Sequence, residues 1–147
     1  MNSKSPLLLL LLGACMLTLL PFSHAGDAIA VTYDGNGNVT SAASEYSSTK
    51  ADGKDHMKAT VAADKVLTAA KARLAFREGV IHSSDLTGYF AFAIGAPENG
   101  PVTAKVGYGK TQEDADKNAL KKLTDDGATK KQAIQFRYFS YGETEAP

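Results

Sequence analysis

The sequence has 147 residues, 44% of them hydrophobic and 22% charged, with 16 basic and 16 acidic side chains. That balance excludes a disordered chain and one built mainly of membrane spans, and zero net charge removes the electrostatic drive toward nucleic acid or an anionic membrane. The single cysteine excludes an internal disulfide and a thiolate metal cluster.

Lys4 precedes an apolar run from Leu7 to Leu20, followed by Pro21 and by Ser23-His24-Ala25. A basic start, an apolar stretch and a small-x-small site are the parts of a secretory signal peptide, predicted over residues 1–25 with cleavage after Ala25. The run is shorter than the roughly 20 apolar residues of a membrane span. Leu12-Gly13-Ala14-Cys15 resembles the lipobox of bacterial lipoproteins, so lipidation at Cys15 is the alternative route, but soluble export to the periplasm or the exterior is the expectation. Removing residues 1–25 takes away Lys4 and the cysteine and leaves 15 basic and 16 acidic side chains, net −1.

Ala28 to Tyr33 alternates with Ile29, Val31 and Tyr33 on one face, the period of a strand. Asp34-Gly35-Asn36-Gly37-Asn38 breaks it with turn residues, and Val39 to Tyr46 returns as a hairpin partner. Ser47 to Lys54 reads as a loop. Ala63, Val66, Leu67, Ala70 and Leu74 predict a helix from about Asp55 to Arg77, ended at Gly79. Val80 to Gly88 reads as a connector with a brief extended piece at Val80-Ile81.

Tyr89 to Leu123 carries the clearest pattern. Phe90, Phe92 and Ile94 alternate with Tyr89, Ala91 and Ala93, giving one bulky and one flat strand face. Pro97-Glu98-Asn99-Gly100-Pro101 is a turn by composition, and Val102 to Tyr108 is the returning strand. Thr111 opens a helix in a capping-box pattern, with Glu113 and Asp114 at its positive end, Ala115, Ala119 and Leu123 as its buried stripe and Gly127 as its stop. A last strand, about 133–141, is predicted to place Ile134, Phe136 and Tyr138 on one face and Gln135, Arg137, Phe139 and Tyr141 on the other. Gly142 to Pro147 reads as a frayed tail.

Ala28-Ile29-Ala30-Val31 aligns with Ala91-Phe92-Ala93-Ile94, and Asn36 to Thr40 with Asn99 to Thr103, at one offset of 63 residues; a slip of one then brings Tyr46 onto Tyr108. The resulting expectation is a single α+β domain over 26–147. It comprises a duplicated ββα unit, with repeat halves at about 28–78 and 89–127, plus the closing strand. Its antiparallel sheet carries two helices packed on one face, and the opposite face is solvated or binds a partner.

Residues with chemical potential are few. Asp34, Asn36, Asn38 and Glu45 match positions 1, 3, 5 and 12 of a calcium loop, but Val39 stands where that loop needs Gly, and a hairpin turn explains the same residues, so no metal is expected. His56 falls at a predicted helix start, and His82 lies beside Ser83, Ser84 and Asp85 in what reads as a polar turn with a surface histidine. No nucleophile elbow, zincin helix or phosphate loop occurs, so neither a catalytic residue nor a cofactor is expected. Gly107 to Leu123 is similar to the end of a double-stranded-RNA-binding domain, yet Glu113, Asp114 and Asp116 at its helix start repel phosphate, and capping accounts for them. Asn38-Val39-Thr40 is a glycosylation acceptor in a eukaryotic host. Arg137, Phe139 and Tyr141 form either a ligand platform or a second buried sheet face, and Asn36 and Asn99 mark the two turns as further binding candidates.

Ala91-Phe92-Ala93-Ile94, then Gly107-Tyr108-Gly109, an Ala-rich helix and a closing aromatic strand resemble a bacterial family of small exported domains of unknown function. The likeness covers about half of the chain after residue 25. Members often carry cysteines after the helix, where this sequence has none, and the resemblance implies no known activity. Taken together, the expectation is an exported, non-enzymatic binding or interaction module with an envelope or extracellular protein partner. Neither nucleic acid nor, after cleavage, a membrane is expected as a partner. The alternative is a proteinaceous inhibitor of an extracellular hydrolase that inserts the turns Asp34 to Asn38 and Pro97 to Pro101 as wedges.

Overall fold

A computed structural model describes residues 26–48 and 77–145. The expected leader and most of the helix predicted from about Asp55 to Arg77 lie outside the described residues. Arg77 itself opens a strand. Among the described residues seven strands and one helix follow in order: β1 (Asp27–Tyr33), β2 (Val39–Tyr46), β3 (Arg77–Ser84), β4 (Leu86–Ala96), β5 (Thr103–Gly109), α1 (Gln112–Asp125), β6 (Lys130–Ser140) and β7 (Thr144–Glu145).

The single sheet under two helices does not form. The described residues are mostly β, in two sheets of order β2-β1-β3 and β5-β4-β6, with every pairing along these orders antiparallel and the short β7 added in parallel to β4; α1 is the one helix among them. The reason is the segment expected as a connector. Residues 77–84 form a full strand along β1, and only Asp85 separates it from β4, so the chain turns a corner and starts a second sheet. The sheet face expected to be solvated or to bind a partner is therefore covered by the first sheet.

The alternation in β4 sets up the layers. Phe90 and Phe92 face Ile29 and Val31 of the first sheet, in a core completed by Val106 and Tyr138. Ala91 and Ala93 face the other way, against Ala115, Ala119 and Leu123 of α1. Each fully buried Phe or Leu side chain contributes about 1.5–3 kcal/mol of apolar transfer. The alanines instead let the helix come close. It approaches closest over β5, where a Cβ on Gly107 would lie 2.1 Å from the Ala115 carbonyl oxygen and one on Gly109 would lie 2.5 Å from Asp114 Cβ. Thr111 caps α1 by accepting from the Asp114 N–H at 3.1 Å.

A bulge corrects the faces expected for the last long strand. In β6 the register shifts between the partners of Phe92 and Ala93, so Gln135 is passed over. Because strand sides alternate, the extra residue reverses them. Ile134 joins the cluster under α1, while Phe136 and Tyr138 pack between the sheets. In β3 a shift between the partners of Ile29 and Ala30 likewise passes over Ile81. In each sheet the central strand comes first in the chain, its hairpin partner second and its other long neighbour last.

The tail is held, not frayed. Thr144 and Glu145 pair in parallel with Leu86 and Thr87, Glu143 N–H donates to Asp85 Oδ1 at 2.8 Å, and a Cβ on Gly142 would lie 2.0 Å from the Asp85 carbonyl oxygen. The close approach of α1 to β5 predicts that Gly107→Ala, by forcing helix and strand apart, lowers unfolding free energy by about 3 kcal/mol. Gly35→Ala, where a Cβ meets open space, changes it by less than about 0.5 kcal/mol. Urea denaturation of the two variants measures both.

Candidate functional site

At one end of the sandwich the two hairpin turns meet. Asp34 Oδ1 accepts from the N–H groups of Asn36 and Asn38, both at 2.9 Å, and Oδ2 accepts from Asn38 Nδ2 at 2.8 Å. The Asn38 side chain, then its backbone N–H, holds the Asp34 carboxyl below its ordinary pKa. Gly37 takes the left-handed conformation at φ 81° that closes this turn. Asn38 then reaches across: its Oδ1 accepts from Val102 N–H at 2.8 Å, and Val39 N–H donates to the Val102 carbonyl at 2.9 Å. Asn36 and Asn99 are both exposed on this paired tip. Of the calcium-like set, Asp34, Asn36 and Asn38 share the first turn, while Glu45 sits opposite Ala28 at the far end of β2, more than about 20 Å of strand away. Among the described residues no group of three or more His, Cys, Asp and Glu side chains is placed to hold a metal.

Arg137, Phe139 and Tyr141 lie toward the opposite end. Tyr89 pairs with Phe139, and seven residues of strand, roughly 23 Å, separate Tyr89 from Ala96 beside the second turn. The structure thus divides the five binding candidates into two distant groups. Arg137 is committed to the helix: its Nε donates to both Asp116 oxygens at 3.0 Å and its Nη2 to Oδ2 at 2.8 Å. That pairing holds Asp116 below and Arg137 above their ordinary pKa values. Phe139 stands edge-on to both Tyr89 and Tyr141, with centroids 4.9 and 5.0 Å apart. These rings interlock instead of presenting one flat stacking surface.

Between the sheets lies a polar cluster that sequence reasoning missed. Asp27 is fully buried and accepts from Tyr138 Oη and Ser84 Oγ, each at 2.5 Å. His82 Nε2 stands 2.9 Å from Asp27 Oδ2 but lacks the alignment of a hydrogen bond, so it is an ionic contact only when the imidazole is protonated. Burial, and then the Asp27 charge, push the Tyr138 phenol far above its ordinary pKa. The Tyr138 ring is held between Tyr46 and Phe90, stacked on both at 4.9 and 5.1 Å. His82 and Ser84, read from sequence as a surface histidine and a polar turn, are strand residues of β3 directed at the core. The available signal was spacing: Asp27 shares its strand face with Ile29 and Val31.

Two clefts flank the sandwich. One, of about 250 Å³, is floored by Phe92, Ile94 and Phe136 beside β2. The other, of about 540 Å³, opens between β3 and β5. Comparison with protein-family models, curated proteins and solved structures returned no match for this chain.

The cluster makes a pH prediction. Above pH 10, the ordinary tyrosine value, an unfolded chain releases the Tyr138 proton while the folded chain keeps it. The contribution of this group to stability is therefore fully present and independent of pH below that value, and is lost progressively above it. Tyr138→Phe is expected to lower stability by about 1–3 kcal/mol at neutral pH, because Asp27 loses a donor. It is also expected to flatten the alkaline limb by roughly 1.4 kcal/mol per pH unit, one proton's worth. Denaturant melts from pH 7 to 11 measure both effects.

Proposed function

We propose that the protein is an exported, non-catalytic binding module that engages an envelope or extracellular protein through its paired hairpin tip. The observation that carries this reading is the cross-turn bonding of Asn38 and Val39 to Val102, which makes two exposed turns into one braced element. A loop whose backbone is already hydrogen-bonded loses little further entropy on binding, so more of its contact energy is kept as affinity. Exposed Asn side chains beside glycine and proline supply adaptable polar contacts on that fixed frame. The other candidates are engaged internally: Arg137 with Asp116, and Phe139 with its two tyrosine neighbours.

The same bracing suits the alternative, an inhibitor that wedges both turns into the cleft of an extracellular hydrolase. One pair of variants tests the shared surface. For a partner recovered from culture fluid or envelope and then purified, calorimetry is expected to show Asn36→Ala with Asn99→Ala weakening binding at least about tenfold, the loss of roughly 1.4 kcal/mol. Phe139→Ala is expected to leave affinity unchanged. Equal affinity for the tip variant and the parent contradicts the proposal. Inhibition of a purified hydrolase that vanishes in the tip variant selects the inhibitor.

A further inference from the structure

The β3/β5 cleft lies where all three layers meet. Its walls are Tyr33 of β1, Ile81 and His82 of β3, the Thr103 to Val106 stretch of β5, and Lys122 of α1. Two lysines and a histidine line it, and no carboxylate does. Lys105 is paired with Asp126 outside the lining. Lys122 has a different arrangement: its Nζ donates to the Val106 carbonyl at 2.8 Å, and no carboxylate among the described residues pairs with it. Arg77 adds a third cation at the Tyr33 wall, its guanidinium carbon 4.3 Å from the ring centroid. The nearest buried acid, Asp27, sits behind His82 and is occupied by Tyr138 and Ser84.

The backbone adds donors. The carbonyls of Val106 and Tyr108 accept from side chains of α1, Lys122 and Asn118, both at 2.8 Å. These alternate residues therefore form the edge of β5 that faces away from β4. In a strand the N–H of such a residue leaves on the same side as its carbonyl. The carbonyls of Val106 and Tyr108 are thus capped by side chains, and by the same alternation the N–H groups of Val106 and of Ala104, two residues earlier, point to that outer edge, within the stretch that lines the cleft together with Lys122. A volume of about 540 Å³ lies within the usual range of small-molecule sites, about 300–1,000 Å³.

We infer that this cleft binds a small molecule through an anionic oxygen group, a carboxylate or a phosphate, held by Lys122 and Lys105 and by the edge N–H groups of β5. The site is separate from the hairpin tip and stands or falls independently of it. The test is a pair of ¹H–¹⁵N titrations of the protein, with inorganic phosphate and with acetate, at ionic strength kept constant with chloride. Expected are saturable shifts at the Ala104 and Val106 amides in at least one titration. Lys122→Gln is expected to weaken them about tenfold, the scale of one charge-assisted hydrogen bond. Lys121→Gln, which removes the same charge from an exposed position paired with Asp125, is expected to leave them unchanged. Saturation with phosphate alone assigns a phosphate-bearing ligand, and with acetate alone a carboxylate. Shifts that stay linear with both anions overturn the inference, as does saturation that Lys122→Gln does not weaken.

Discussion

A fully buried carboxylate joins the sheets of this protein. Asp27 begins the central strand of one sheet and takes a proton donor from Tyr138 on the bulged strand of the other, with Ser84 and His82 beside it. A charge in that position is costly unless it is hydrogen-bonded, and its donors come from both sheets. The requirement fixes their relative position. It also explains why Tyr138 is stacked on both sides: the rings of Tyr46 and Phe90 hold the phenol where the carboxylate needs it. At the same end Ser140 Oγ donates to the Gly26 carbonyl, and Tyr141 N–H to that of Ser47. Polar ties close this end, the Asn38–Val102 contacts close the other, and Ile29, Val31, Phe90 and Phe92 fill the middle.

Among the described residues these ties lie at the two ends of the sandwich, and its clefts lie along the sides. Along β5 the helix answers the edge-strand problem with side chains: Asn118 and Lys122 occupy the outward carbonyls, which blocks strand addition by another chain. Capping acceptors with a lysine leaves a surplus of donors, which gives the adjoining cleft its cationic character. At the tip the turn polar groups are satisfied internally by Asp34 and Asn38, leaving Asn36 and Asn99 exposed on a rigid frame.

Much of this was legible in the residues. The first hairpin, the β4/β5 pair, the Thr111 cap and the Ala115, Ala119, Leu123 stripe all follow from alternation, turn chemistry and helical spacing, because each depends on neighbours in the chain. The second sheet was not legible. Residues 77–84 mix Gly, Ser and His with only Val80 and Ile81 as strand formers, and pairing to β1 overrides their weak propensity. The Gln135 bulge could not be read either, since a register shift is decided by the partner strand. Of the binding candidates, Asn36 and Asn99 were placed together on the tip by contacts 64 residues apart in the chain. Arg137 proved to be a helix staple because Asp116, not the strand pattern, determines where its guanidinium goes.

The double-mutant cycle of Asp27→Asn and Tyr138→Phe, read as unfolding free energy in urea at pH 7, tests the cross-sheet tie most directly. A tie that positions the sheets predicts a coupling of about 1.5–3 kcal/mol, the size of a hydrogen bond to a buried charge. Additive effects within about 0.5 kcal/mol would contradict it and leave the apolar middle alone to hold the two sheets together.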